Sequence, residues 1–191
     1  MEKKIIHIIP HTHWDREWYV PFQTFRFRLV KAIDKLLEMT DKDPDYHFNL
    51  DGQTIVLEDY LEIKPEMKER LRNKIKNGQI GIGPWYVQSS PWLQTGEGLV
   101  QNLKFGIDMC KEYDTKPVDN GYVPDQFIHP HQMPQILKGV GINHYSFSRG
   151  IGNHEDEFGI GAEFMWKGMD GSELLAVHLR AGYGTCANLS E

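Results

Sequence analysis

The sequence predicts an α/β fold in which parallel strands alternate with helices, as a barrel or as an open wound sheet. Two observations carry this. Five strand-then-helix units follow one another between residues 4 and 147, the pattern that lays helices over a parallel sheet. The chemically distinctive residues then fall just past successive strands. His13 and Asp15 follow the first, Asp51 the second, Trp85 the third, Asp125 the fourth and Arg149 the fifth. Loops at the carboxyl ends of parallel strands converge on one point, so the two observations support each other.

Taken in order, residues 4–9 form a short, mostly apolar, β-branched run that reads as a buried strand stopped by Pro10. Residues 22–39 carry Leu29, Val30, Ile33, Leu36 and Leu37 at helical spacing, an amphipathic helix with one face on the sheet. Residues 46–50 give the second strand, and helices follow over 54–63 and from Pro65 to about Gly78. Residues 79–83 are the third strand, and a helix over 98–113 carries Leu99, Leu103, Ile107 and Met109. The fourth strand is 118–123, a helix spans 132–140 and stops at Gly141, and the fifth strand is 143–147. Residues 151–161 read as a loop. Residues 163–167 and 173–179 then form two strands around Met169-Asp170-Gly171-Ser172, where Asp-Gly is a strong hairpin signal.

The stretch Pro10-His11-Thr12-His13-Trp14-Asp15-Arg16-Glu17-Trp18 holds the densest chemistry. If the backbone stays extended past Pro10, His11, His13 and Asp15 project from one face. Two imidazoles and a carboxylate at a strand end suit a metal that takes N and O ligands, such as zinc. A lone His-x-His is more often a pair of hydrogen-bonded loop histidines; Asp15 and the strand-end position tip the balance toward a metal site.

With 191 residues and 40% hydrophobic content, the chain can bury one sizeable core but not two ordinary domains. Its net charge of −6, with no basic cluster interleaved with aromatics, disfavours a nucleic-acid partner. No apolar run is long enough to span a membrane, and the short one after Lys3-Lys4 lacks the length and cleavage site of a signal peptide. Cys110 and Cys186 make no disulfide framework, which points to a reducing cytoplasm and to incidental thiols. A complete barrel needs about 250 residues, so a fragment of a longer chain is expected, with an exposed strand edge able to pair with a second copy.

The nine-residue stretch at Pro10–Trp18 resembles the opening motif of glycoside hydrolase family 38, the α-mannosidases. Gly83-Pro84-Trp85-Tyr86, Gly96-Glu97-Gly98-Leu99-Val100-Gln101-Asn102-Leu103 and Gly121-Tyr122-Val123-Pro124-Asp125-Gln126-Phe127 are similar, in the same order, to motifs of its bacterial members, which include mannosylglycerate hydrolases. The resemblance covers nearly the whole chain. It implies a seven-stranded β/α barrel, partial here, and residues 1–191 as the N-terminal part of the catalytic domain. It also implies one Zn2+ held by His13, Asp15 and Asp125, with Asp125 doubling as the nucleophile of a retaining mechanism. Trp18 would stack under the bound sugar, Phe127 would share that wall, and Arg149 would stand near the nucleophile. Such a mechanism needs a second carboxylate as general acid/base. The family's acid aspartate and its fourth ligand, a histidine, fall farther along than residue 191, so the chain alone is expected to be inactive. Ile128 and Ser89-Ser90 depart from the family pattern in the loops beside Asp125 and the substrate.

Each residue also has a plainer role to weigh. Asp125 could cap the helix ahead of it, and Arg149 could pair with Glu155, Asp156 or Glu157 on the surface. Trp14, Trp85 and Trp92 are first packing candidates, with Trp85 also a candidate sugar contact. His129, His131 and His144 read as structural. Two other function classes fit less well. An amidohydrolase-type metal hydrolase needs further histidines at later strand ends, and a non-catalytic sugar-binding module would use metal and aromatics without cleavage.

Overall fold

The computed structural model describes residues 3–185 and residue 187. Cys186 therefore lies outside the described residues. The elements in order are α1 (Phe22–Lys42), β1 (Phe48–Asn49), α2 (Ile55–Leu61), α3 (Lys68–Lys76), β2 (Ile80–Gly81), α4 (Gly96–Glu112), α5 (Met133–Gly139), β3 (His144–Phe147), α6 (His154–Phe158), β4 (Glu163–Lys167) and β5 (Glu173–His178). A 3-10 turn at Pro65–Met67 precedes α3.

Helix α1 buries Phe25, Leu29, Ile33, Leu36 and Leu37, spaced so that one stripe faces the core. Its Asp34 accepts hydrogen bonds from Tyr60 Oη at 2.8 Å and Lys64 Nζ at 2.5 Å, which ties α1 to α2 and the turn after it. Helix α4 starts where Thr95 Oγ1 accepts the Gly98 N–H at 3.0 Å, satisfying one donor that no helical carbonyl can reach.

Strand β1 pairs parallel with β2, and a second sheet has the order β3-β5-β4, with β3 parallel and β4 antiparallel to β5. Isolated parallel bridges join His11 to Asn49, Gln53 to Trp85 and Val123 to Phe147. Backbone bonds from Val118 N to Ile82 O and from Gly121 N to His144 O continue the array, so neighbours in sequence are neighbours in space. The α/β character and the Asp170-Gly171 hairpin are as expected. Among the described residues, however, the strands form two small sheets and no closed barrel. One apolar core gathers α1, α2, α3 and β2; another gathers α4, α5 and the three-stranded sheet.

Three readings change. Residues 4–9 form no strand, and Ile5, Ile6, Ile8 and Ile9 are exposed. Backbone pairing here is confined to Asn49 N donating to Pro10 O and Thr12 N donating to Asn49 O, so among the described residues no ladder extends back over residues 4–9. Residues 118–123 are not a continuous strand either. Asn120 N and Tyr122 N bond locally, to Val118 O and Asn120 O, which turns those donors away from the neighbours. Within the expected loop at 151–161, α6 forms, because three acidic residues in its first turn suit a helix start and Gly159, at φ 62°, ends it.

Among the described residues no helix is long and apolar enough to cross a membrane. Cys110 is a free, buried thiol whose pKa burial pushes up to about 12, the behaviour of a packing residue.

Candidate active site

The loop after Pro10 is held in place from the end of β1. Asp51 stands just past that strand with a positive φ of 51°, and its carboxylate is fully buried. Asp51 Oδ2 accepts the Trp14 N–H at 2.8 Å and a second hydrogen bond from Gln53 Nε2. Gln53 Nε2 also donates to Trp14 O at 2.8 Å, so both sides of the Trp14 backbone are fixed. Arg16 pairs with Asp59 on α2 through two parallel bonds of 2.7 and 2.8 Å. The bidentate fork clamps the far end of the loop and raises the Arg16 pKa.

This scaffolding aims His13 into the site. Its Nδ1 meets Asp51 Oδ1 at 3.2 Å and its Nε2 lies 3.6 Å from Asp15 Oδ1. Burial, the largest influence on His13, opposes the charged ring. The hydrogen bond to Asp51 and the charges of Asp51, Asp15 and Asp125 outweigh it and raise the pKa. Burial likewise raises the Asp51 pKa, against the hydrogen bonds it accepts.

Asp125 Oδ1 is buried, and Arg149 Nε approaches it at 2.5 Å as an ion pair. The Arg149 guanidinium also rests over the Phe127 ring, 5.4 Å from its centroid. Arg149 therefore pairs with Asp125, while Glu155 takes His178 and Arg180 instead. Capping is not the role of Asp125: α5 begins after Gln132, with no side-chain cap.

The remaining expected residues separate. Phe127, 64% exposed, presents an open ring beside Arg149. Trp18 is 75% exposed and packs edge-on against Tyr19. Trp85 is only 2% exposed and packs in the core with Leu99 and Leu103, a packing position without an open face for a ligand. His11 contacts Tyr122, with Nδ1 3.4 Å from the phenol oxygen, and does not join His13 and Asp15. His129 is held between Tyr145 Oη and Arg149 O at 2.7 Å each, and burial lowers its pKa, so it supports the Arg149 backbone as a neutral ring.

Two contributors were missed from sequence. Asp51 carried a signal, its place after a strand, but nothing assigned it a partner. Tyr183 carried none, since it lies in a glycine-flanked stretch past β5. Its ring meets His13 edge-on at 5.3 Å. Burial and then the Asp125 charge raise its pKa, opposed by a hydrogen bond with Arg149.

The donor set fits a cation such as zinc in kind: an imidazole nitrogen and a carboxylate already side by side, and a second carboxylate, Asp125, that is held by Arg149. Among the described residues no three such side chains are drawn into complete metal-holding geometry. A cavity of about 350 Å³ lies within the array, lined by His11, Asn49, Asp51, Tyr122 and Tyr183 among others. His13, Asp15 and Asp125 do not line it; Asp51 and Tyr183, which do, both contact His13.

Residues 3–190 match the family described as the glycosyl hydrolases family 38 N-terminal domain. A Halalkalibacterium halodurans protein named "Putative mannosylglycerate hydrolase" is 40% identical over 190 residues, covering 95% of this chain and 21% of that protein. The alpha-mannosidase 2C1 of Homo sapiens is 27% identical over 189 residues, 97% of this chain and 18% of that one. The crystal structure of an alpha-mannosidase from Enterococcus faecalis V583 superposes with a TM-score of 0.84 at 33% identity, over 92% of this chain and 20% of that chain. The chain thus spans about a fifth of the length of these relatives. With its motifs in order and the family matched across nearly all of its residues, this chain belongs to glycosyl hydrolase family 38 and falls within that family's N-terminal domain.

Proposed function

We propose that this chain is the N-terminal part of the catalytic unit of a metal-dependent, retaining α-mannosidase that cleaves terminal α-mannosyl linkages. In this reading Asp125 is the nucleophile and forms a covalent mannosyl-aspartate, and the strands belong to a seven-stranded β/α barrel. The observation that supports it is His13 Nε2 standing 3.6 Å from Asp15 Oδ1 on the loop that carries the family motif. The names of the relatives, mannosylglycerate hydrolase and alpha-mannosidase, supply the substrate class.

His13 Nε2, Asp15 and Asp125 would hold the zinc ion, which when bound supplies a Lewis acid for sugar hydroxyls and so orients the ring. Arg149 orients the Asp125 carboxylate through their ion pair. The open rings of Trp18 and Phe127 are suited to the C–H face of a sugar. The same reading includes a cytoplasmic setting and self-association through an exposed strand edge.

Anomalous scattering at the zinc edge tests the metal centre directly. A peak within bonding distance of His13 Nε2, Asp15 and Asp125 is expected; a peak elsewhere, with these three unligated, overturns the assignment. For the chemistry, a 2-fluoro-mannosyl probe should label wild-type protein on Asp125 and leave Asp125→Asn unlabelled. Labelling at another carboxylate rejects Asp125 as nucleophile.

A further inference from the structure

With the Asp51 carboxylate ionised, the hydrogen bonds around it admit one consistent set of proton positions, and it bears on how His13 is presented. Gln88 N–H donates to Gln53 Oε1 at 3.1 Å, so the Gln53 amide is oriented with Nε2 toward Trp14 O and Asp51 Oδ2. Trp14 N–H also donates to Oδ2. Oδ2 thus receives two fixed donors, and Oδ1 is left to accept from His13 Nδ1 at 3.2 Å. The positive φ of Asp51 and its full burial hold the carboxylate against this one histidine.

We propose that Asp51 is a positioning residue that fixes neutral His13 as the Nδ1–H tautomer, leaving Nε2 unprotonated where it faces Asp15. Its use for metal capture rests on the zinc reading above; the tautomer itself does not. A histidine that is rigid, correctly protonated and paired with a buried carboxylate binds a cation without first turning its ring or shedding an Nε2 proton. Asp51→Asn should reverse the arrangement. The Asn oxygen has to accept from Trp14 N–H and Gln53, so its NH2 faces His13 and turns Nδ1 into an acceptor, with the proton moved to Nε2.

The test is imidazole nitrogen NMR on the metal-free chain labelled with 15N-histidine, at an alkaline pH where the His13 shifts no longer change and the ring is neutral. The His13 signals are identified by their loss in His13→Gln. Wild type should carry its proton on Nδ1 and Asp51→Asn on Nε2, with zinc affinity, measured by chelator competition, lowered about 10–100-fold in the variant. A wild-type His13 protonated on Nε2 overturns the proposal, whether or not the variant folds. A variant that keeps native near-UV circular dichroism, the wild-type tautomer and wild-type zinc affinity overturns it as well. The expected tautomers together with a full-length protein that binds no zinc would support the positioning role and overturn the metal reading alone.

Discussion

Arg149 Nε lies 2.5 Å from Asp125 Oδ1, an oxygen that is otherwise buried and without a hydrogen bond. The carboxylate proposed to attack the sugar is therefore steered by one guanidinium, itself braced over Phe127 and at its backbone by His129. In full-length protein, Arg149→Ala should lower kcat by roughly 10²-fold with a smaller change in KM, because it misplaces the nucleophile more than it weakens binding. Asp125→Asn should lower kcat by roughly 10³-fold or more. Steady-state kinetics on an aryl α-mannoside distinguish the two, and an Arg149→Ala effect confined to KM would assign the arginine to substrate binding.

His13 gives the metal-free site a pH signature. Its pKa lies above the ordinary value of about 6.5, so the folded chain binds that proton more tightly than the unfolded one. The stabilisation is complete below about pH 6.5 and fades as pH rises through the folded value. Asp51, also raised, shifts stability in the same direction, so the comparison should be made against His13→Gln. With zinc chelated, wild type should exceed His13→Gln in Tm by more at about pH 5.5 than at about pH 8.5. An equal gap at both pH values would remove the proton linkage.

Gly106 on α4 lets the helix lie directly on the backbone of the loop that follows β2. A Cβ there would stand 2.2 Å from Pro84 O and 2.4 Å from the Trp85 carbonyl carbon. Gly106→Ala gains about 1 kcal/mol of helix propensity, but overpacking against rigid backbone should leave a net loss of about 2 kcal/mol or more. Urea unfolding provides the measurement, and a variant as stable as wild type would mean that helix and loop can separate freely.

Asn102, inside the family motif on α4, does for the loop at 86–89 what a strand would do. Its Oδ1 accepts the Tyr86 and Val87 N–H groups at 2.9 and 3.0 Å, and its Nδ2 donates to Val87 O at 2.8 Å. Asn102→Ala strands the part-buried Val87 N–H, while Tyr86 N–H keeps the backbone carbonyl of residue 102 and Val87 O keeps the Ser89 N–H, and should destabilise the chain by about 1–3 kcal/mol. Faster amide exchange at Val87 should accompany the loss; unchanged protection there would show that another group holds the loop.

The sequence alone determined the features whose causes are local. The stripes of α1 and α4 recur every three to four residues, and the hairpin turn is written in Asp170-Gly171. Asp51 and Arg149 do fall just past strands, β1 and β3, whereas the stretches before His13 and Asp125 form no continuous strand; the ordered motifs located the family. Only the tertiary structure decided which residues meet. Asp51 reached His13 through a left-handed turn, Arg149 found Asp125 rather than the acidic α6, and Trp85 turned into the core. The apolar run at 4–9 went unpaired because a strand exists only where its register meets a partner ladder. Spacing along the chain sets which side chains share a face; register and burial set which faces touch.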